Sequence, residues 1–245
     1  MPDFKMLEAE HVLIAMLLIL AALTFSIGNI LHLVIAPLTA AVLDFLLAWL
    51  IDKRKDFPYL GLISGLIIAL LLAPNPVFAF VAAVIAMAGK YIIRIRKRNI
   101  FNPAAFSLFV MSIFGIVTAW WGVLHWIVIP LGLLVAYKIR RLETSLSFLA
   151  VYFIIFFIIK GVLPLEDYTA YFFAFVMVLE PVTSPATRKG KIIFGPAVAL
   201  LALLLPLAAN LPVNLFLGSL LIMNLFTPYL NKLKSAAKPQ NQNRA

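Results

Sequence analysis

The sequence predicts an all-α, polytopic membrane protein of about ten transmembrane helices arranged as two inverted five-helix repeats. Three observations lead there. Hydrophobic residues make up 64% of the 245 positions and charged residues only 12%, with a mean hydropathy of +1.07, which is more apolar than one soluble core can hide. The basic residues fall in alternate loops. Proline-flanked polar turns recur at corresponding places in the two halves.

Dividing the chain at charged clusters and Pro/Asn turns gives ten apolar segments, since a spanning helix needs roughly 17–25 apolar residues and leaves no backbone group unpaired in lipid. They are approximately Val12–Ala36, Leu38–Ile51, Tyr59–Ala73, Val77–Gly89, Ala104–Trp121, Val123–Tyr137, Ser145–Ile159, Tyr168–Leu179, Ile192–Ala209 and Val213–Leu230. The second, fourth and eighth are short, as expected of helices broken part way through the membrane. Met1 to Glu10 carries three acids against one Lys, so no cleavable signal peptide is expected and the first helix should be retained.

The cations follow the even-numbered segments. Lys53, Arg54 and Lys55 come after the second, and Lys90, Arg94, Arg96, Lys97 and Arg98 after the fourth. Lys138, Arg140 and Arg141 follow the sixth, Arg188, Lys189 and Lys191 the eighth, and Lys232, Lys234, Lys238 and Arg244 the tenth. With Lys5 at the start, only Lys160 of the 20 Lys and Arg lies on the opposite side. This alternation places both termini in the cytoplasm of a multi-pass cell-membrane protein, and it explains the net charge of +10 without nucleic acid. The expected domain organisation is one membrane domain, 1–230, with repeats at about 12–122 and 123–230. A disordered cytoplasmic tail follows at 231–245.

An odd number of spans per repeat inverts the second repeat relative to the first. The third segment runs into Pro74-Asn75-Pro76 and the eighth into Glu180-Pro181-Val182-Thr183-Ser184-Pro185, each stopping a helix with two prolines around polar residues. One step later, Asn99-Ile100-Phe101-Asn102-Pro103 opens the fifth segment and Asn210-Leu211-Pro212-Val213-Asn214 the tenth.

Polar groups inside the membrane are few, and each is a functional candidate. Asp44, within the second segment, should cap a broken helix, pair with a cation or be protonated. The tryptophans Trp120, Trp121 and Trp126, with His125, read as an interfacial belt. His11, His32 and His125 stand too far apart for a bis-His haem or a metal site, and with no cysteine there is no thiolate ligand, nucleophile or disulfide. From Glu180 to Gly190, hydroxyls of Thr183, Ser184 and Thr187 lie beside a helix start and the cations Arg188, Lys189 and Lys191. That combination suits either a phosphate-like anion or a capped, positively charged loop.

Three stretches resemble the RnfD/NqrB family, membrane subunits of ion-translocating electron-transport complexes. Ser64 to Leu70 with Pro74 and Pro76 is similar to its TGLLLAL…PP segment, Asn99 to Ala105 to its NxFNPA motif, and Glu180 to Pro185 with Thr187 and Gly190 to its DPVTSxxTxxG motif, with Glu180 in place of the family's Asp. The resemblance implies a urea-transporter-like fold, a flavin, and a role as a redox subunit rather than a stand-alone enzyme. Asn99, Phe101, Asn102, Pro103, Glu180, Thr183, Ser184 and Thr187 are the residues expected at the flavin. Relatives generally carry a Ser-Gly-Ala-Thr sequence whose Thr is esterified to FMN. That sequence is missing from this chain, so FMN or riboflavin is expected to bind noncovalently. Implied partners are the bilayer and other electron-transport subunits, or a soluble reductase docking at Arg94 to Arg98 and Arg188 to Lys191. Because urea transporters with the same fold conduct a solute, a small-solute channel is the alternative function.

Overall fold

The computed structural model describes residues 4–95, 97–208 and 213–233. Arg96, the Asn210-Leu211-Pro212 turn and the tail from Lys234 onward lie outside the described residues. Among the described residues are ten α-helices: α1 Phe4–Leu23, α2 Ile30–Asp52, α3 Tyr59–Leu71, α4 Pro76–Ile92, α5 Pro103–Ile113, α6 Val128–Lys138, α7 Leu142–Lys160, α8 Tyr168–Phe172, α9 Arg188–Ala208 and α10 Leu215–Leu230. A small antiparallel hairpin, β1 Arg94–Ile95 and β2 Arg98–Asn99, joins α4 to α5. The chain is therefore an all-α, polytopic membrane protein. Among the described residues three helical stretches, Ile27–Asp52, Leu142–Lys160 and Arg188–Ala208, are long and apolar enough to cross a membrane by themselves, and the other apolar stretches, Ala9–Leu23 of α1 among them, are shorter.

The first boundary differs from the sequence expectation. The chain breaks at residues 24–29, and Pro37 lies inside α2. The local chemistry explains why. Thr24 turns its hydroxyl back onto the Leu20 carbonyl at 2.9 Å, while Asn29 accepts from the Ser26 amide and donates to the Thr24 carbonyl, closing a tight polar turn. Pro37 removes one backbone donor within α2. Its backbone sits so close to Gly65 of α3 that a side chain there would overlap it at 2.3 Å.

The fifth segment is also shorter than expected. α5 ends at Ile113, Gly115 takes a φ of +76°, and the chain to Ala119 runs extended against the end of α3. The eighth segment begins as α8 and continues into a π-helical turn, Phe173–Met177, whose five residues are all buried.

Packing follows two similar schemes. α2 packs on α3 and α4, and α4 on α5, while α7 packs on α9, and α9 on α10. α1 meets α6, and α5 meets α10. The spacing is regular as well. α2 and α7 start at Ile30 and Leu142, α4 and α9 at Pro76 and Arg188, α5 and α10 at Pro103 and Leu215, each pair 112 residues apart. The same spacing relates the bonds at the α5–α10 contact. Asn102 caps α5 by accepting from the Ala105 amide, and Asn214 caps α10 by accepting from the Leu217 amide. The backbone N–H of Asn102 donates to Asn224 on α10, and that of Asn214 donates to Ser112 on α5.

The charged loops gather at one end of the bundle. Arg94 bonds Asp52 at 2.9 Å, joining the hairpin to the end of α2, and Lys191 donates to the Arg140 carbonyl at 2.8 Å. The Ala186 amide donates to Asn231, which shares a cavity with Arg98. These contacts chain the even-numbered loops into a single face.

Candidate functional site

A helix that stops inside a membrane leaves its last carbonyls without partners, and each must be satisfied locally. At the end of α3 this is done with backbone and aromatic rings. The Ala69 carbonyl accepts from Nε2 of His32 at 2.8 Å, and Nδ1 of the same ring accepts from the Asn75 amide. The Leu71 carbonyl accepts from the Ala119 and Trp120 amides, and the Leu72 carbonyl from the Trp121 indole at 2.8 Å. Asn75 then caps α4 by accepting from the Val77 and Phe78 amides. Trp121 is thus a structural clamp at this break in addition to any interfacial role.

The second break, from Val178 to Thr187, is closed by charged and amide side chains. Arg141, only 6% exposed, donates to the Ser184 hydroxyl at 2.7 Å and to the carbonyls of Pro185 at 2.6 Å and Pro181 at 3.3 Å. Burial pushes its guanidinium down to about 10, and the nearby carboxylates Glu180 and Glu143 act in the opposite direction, so it is charged at neutral pH. The Thr183 carbonyl accepts from Asn224 at 3.1 Å and Thr227 at 2.7 Å. Asn102 reaches the Met177 carbonyl at 3.4 Å.

The residues singled out by sequence divide accordingly. Asn99, Asn102, Pro103, Glu180, Thr183 and Ser184 come together around the second break. The Thr183 hydroxyl donates to the Glu180 carboxylate at 2.8 Å, and the Ser184 hydroxyl donates to the Glu180 carbonyl at 2.6 Å. Thr187 stands apart, capping α9 at the Gly190 amide and donating to the Leu230 carbonyl. Phe101 stacks on Phe106 at 5.7 Å between ring centres. Of the three hydroxyls, those of Thr183 and Ser184 bond Glu180 within the loop, and that of Thr187 caps α9 and ties it to the end of α10.

Three cavities surround this break. A slot of about 80 Å³ runs between α1, α3, α5 and the break, lined by apolar side chains with Glu10, Ser64, Asn102 and Glu180 as polar points. A vestibule of about 430 Å³ lies on the charged face, and it shares Glu10, Leu60, Pro181 and Val182 with the slot. A third cavity, of about 460 Å³, lies between the hairpin, the break and the end of α10, lined by Arg98, Asn99, Thr183, Asn224, Thr227 and Asn231 among others. Asn99 and Val182 border both larger cavities.

Asp44 is 4% exposed and takes two of the roles foreseen for it. Its carboxylate accepts from the Gly61 amide at 2.8 Å, capping α3 from a neighbouring helix. It also pairs with Lys90 at 2.7 Å and accepts from the Tyr91 hydroxyl at 2.6 Å. Sequence reasoning missed Arg141, Asn224 and Thr227. Asn224 and Thr227 carried a signal, being polar within an otherwise apolar helix. Arg141 was indistinguishable from the other loop cations.

The fold and this interior define a polytopic helical membrane protein whose proline-broken helices are pinned by buried polar side chains. Residues 107–239 match the NQR2, RnfD, RnfE family. That stretch is more than half of the chain, and the protein belongs to this family of membrane subunits of Rnf- and Nqr-type complexes. The match contains the Glu180-Pro181-Val182-Thr183-Ser184-Pro185 motif and begins after the two first-half motifs. No curated protein sequence matches the chain.

Proposed function

We propose that the protein is a membrane-embedded electron-transport subunit that holds a flavin noncovalently beside its second helix break and passes electrons within its complex, coupled to ion movement. The observation that carries this reading is the 460 Å³ cavity at that break, in a chain of this family. Its donor set suits the group. Amides of Asn99, Asn224 and Asn231 can meet the donors and acceptors of the pyrimidine edge. When bound, the flavin supplies one- and two-electron chemistry. The chain's own part is positional. Arg141, Asn224 and Thr227 fix the backbone of residues 181–185, and Asn102 ties α5 to the π-helical turn.

The equal 112-residue spacing of three helix pairs and the reciprocal bonds between Asn102 and Asn224 and between Asn214 and Ser112 support two inverted repeats meeting at α5 and α10. The clustering of basic loops on one face supports a cytoplasmic location for that face and for both termini. The solute-channel reading needs a polar route through the middle. There, Phe148, Phe173, Phe216 and Trp120 pack ring against ring, with Phe173 and Phe216 only 4.3 Å apart between centres. Detergent-purified protein should carry a flavin released by denaturation without proteolysis, and Asn231→Leu should lower its occupancy. Protein without flavin absorbance that also takes up no added FMN or riboflavin would refute the reading.

A further inference from the structure

The 430 Å³ vestibule adjoins the flavin cavity, with Arg98, Asn99 and Val182 lining both, and its charges are unevenly matched. Of its acids, Asp44 is satisfied by Lys90 and Tyr91, Asp52 by Arg94 at 2.9 Å, exposed Asp56 lies 3.9 Å from Arg54, and half-buried Glu10 completes the set. The Arg94–Asp52 pair has both side chains largely buried, so it pins the hairpin over the end of α2 and fixes where the hairpin's remaining cations stand. Among the described residues those cations are Lys97 and Arg98. Both are exposed, both line the vestibule, and neither side chain has a hydrogen bond or ion pair among the described residues. Lys97 holds a φ of +66° next to β2. Phe57, 61% exposed, lines the same vestibule, and next to the two cations the hairpin carries Ile95, 58% exposed and paired with Arg98, with Ile92, 78% exposed, at the end of α4.

Two uncommitted cations over a polar cavity, ringed by apolar side chains at the end of a membrane bundle, match an amphiphile with a negative head. A soluble anion would use the cations but gain nothing from Phe57, Ile92 and Ile95, while an uncharged lipid would gain nothing from Lys97 and Arg98. We infer that the vestibule mouth is a binding site for an anionic phospholipid of the adjacent leaflet, its phosphodiester on Lys97 and Arg98 and its acyl chains along Phe57, Ile92 and Ile95. A lipid held there would brace the hairpin from outside as the Arg94–Asp52 pair does from within.

The test is native mass spectrometry of the full chain in detergent, titrated with phosphatidylglycerol or phosphatidylcholine. The K97Q/R98Q double variant is compared with R188Q/K189Q, which removes two exposed cations elsewhere on the charged face. Wild type and R188Q/K189Q should retain phosphatidylglycerol at least tenfold more than phosphatidylcholine, and K97Q/R98Q should lose that preference. An unchanged melting midpoint of lipid-free K97Q/R98Q shows that the loss is not unfolding. Equal retention of the two lipids, equal loss in both double variants, or displacement of phosphatidylglycerol by millimolar inorganic phosphate would each overturn the inference, the last by making the ligand a soluble phosphate.

Discussion

The two broken helices pose one physical problem and receive two different solutions. Where α3 stops, orphan carbonyls are closed by an extended backbone segment, the ring of His32 and the Trp121 indole. Where the eighth segment stops, the closing groups are the Arg141 guanidinium and the side chains of Asn102, Asn224 and Thr227, with Glu180 in their midst. Position by position the exchange is visible. His32 clamps the first break, but the residue 112 places on, Thr144, has a fully buried hydroxyl with no partner among the described residues, and the clamp has moved to Arg141. Side chains, unlike a backbone zipper, can be exchanged, and the polar cavity lined by Thr183, Asn224 and Thr227 lies at the second break.

That contrast can be broken in graded steps. The largest effect is expected at the base of α3. Asp44→Ala strands Lys90 in a buried position, frees the Gly61 amide and leaves the Tyr91 hydroxyl only the carbonyl of residue 44, costing about 3–5 kcal/mol in detergent unfolding. Arg141→Leu leaves the Pro181 and Pro185 carbonyls without their donor and should cost about 3 kcal/mol. It should also lower flavin retention in the spectrum of the purified protein. His32→Phe removes two bonds at the first break and should cost about 2 kcal/mol while leaving bound chromophore unchanged, which separates the two breaks. Thr227→Val, whose acceptor keeps its bond from Asn224, should cost only about 1 kcal/mol, read as a small drop in melting midpoint.

Much of this was legible in the chain itself. Alternating basic loops gave the common charged face, Pro74-Asn75-Pro76 and the Glu180 to Pro185 stretch marked both breaks, and Asn102-Pro103 marked the start of α5. Local chemistry decides those features, because capping and proline effects act within four residues. What escaped depends on contacts between distant positions. Pro37 looked like a boundary, yet α2 tolerates it against Gly65, while the real break is set by the Ser26–Asn29 turn. α5 looked complete to Trp121, yet its last stretch unwinds to satisfy Leu71, a residue of another helix. Thr183 and Ser184 find one partner locally, at Glu180. Their other partners, Arg141 on the Ser184 hydroxyl and Asn224 on the Thr183 carbonyl, and the Leu230 acceptor of Thr187, lie some forty residues away, and no local pattern names them.

We propose that the second break, with its exchangeable side-chain clamp, holds the redox group. The most direct measurement is the absorbance spectrum of detergent-purified wild type, Arg141→Leu and His32→Phe, with the mass of any chromophore released on denaturation. Releasable flavin in wild type and His32→Phe but not in Arg141→Leu is the predicted result. A chromophore lost from His32→Phe and kept by Arg141→Leu would place the site at the first break and contradict the account.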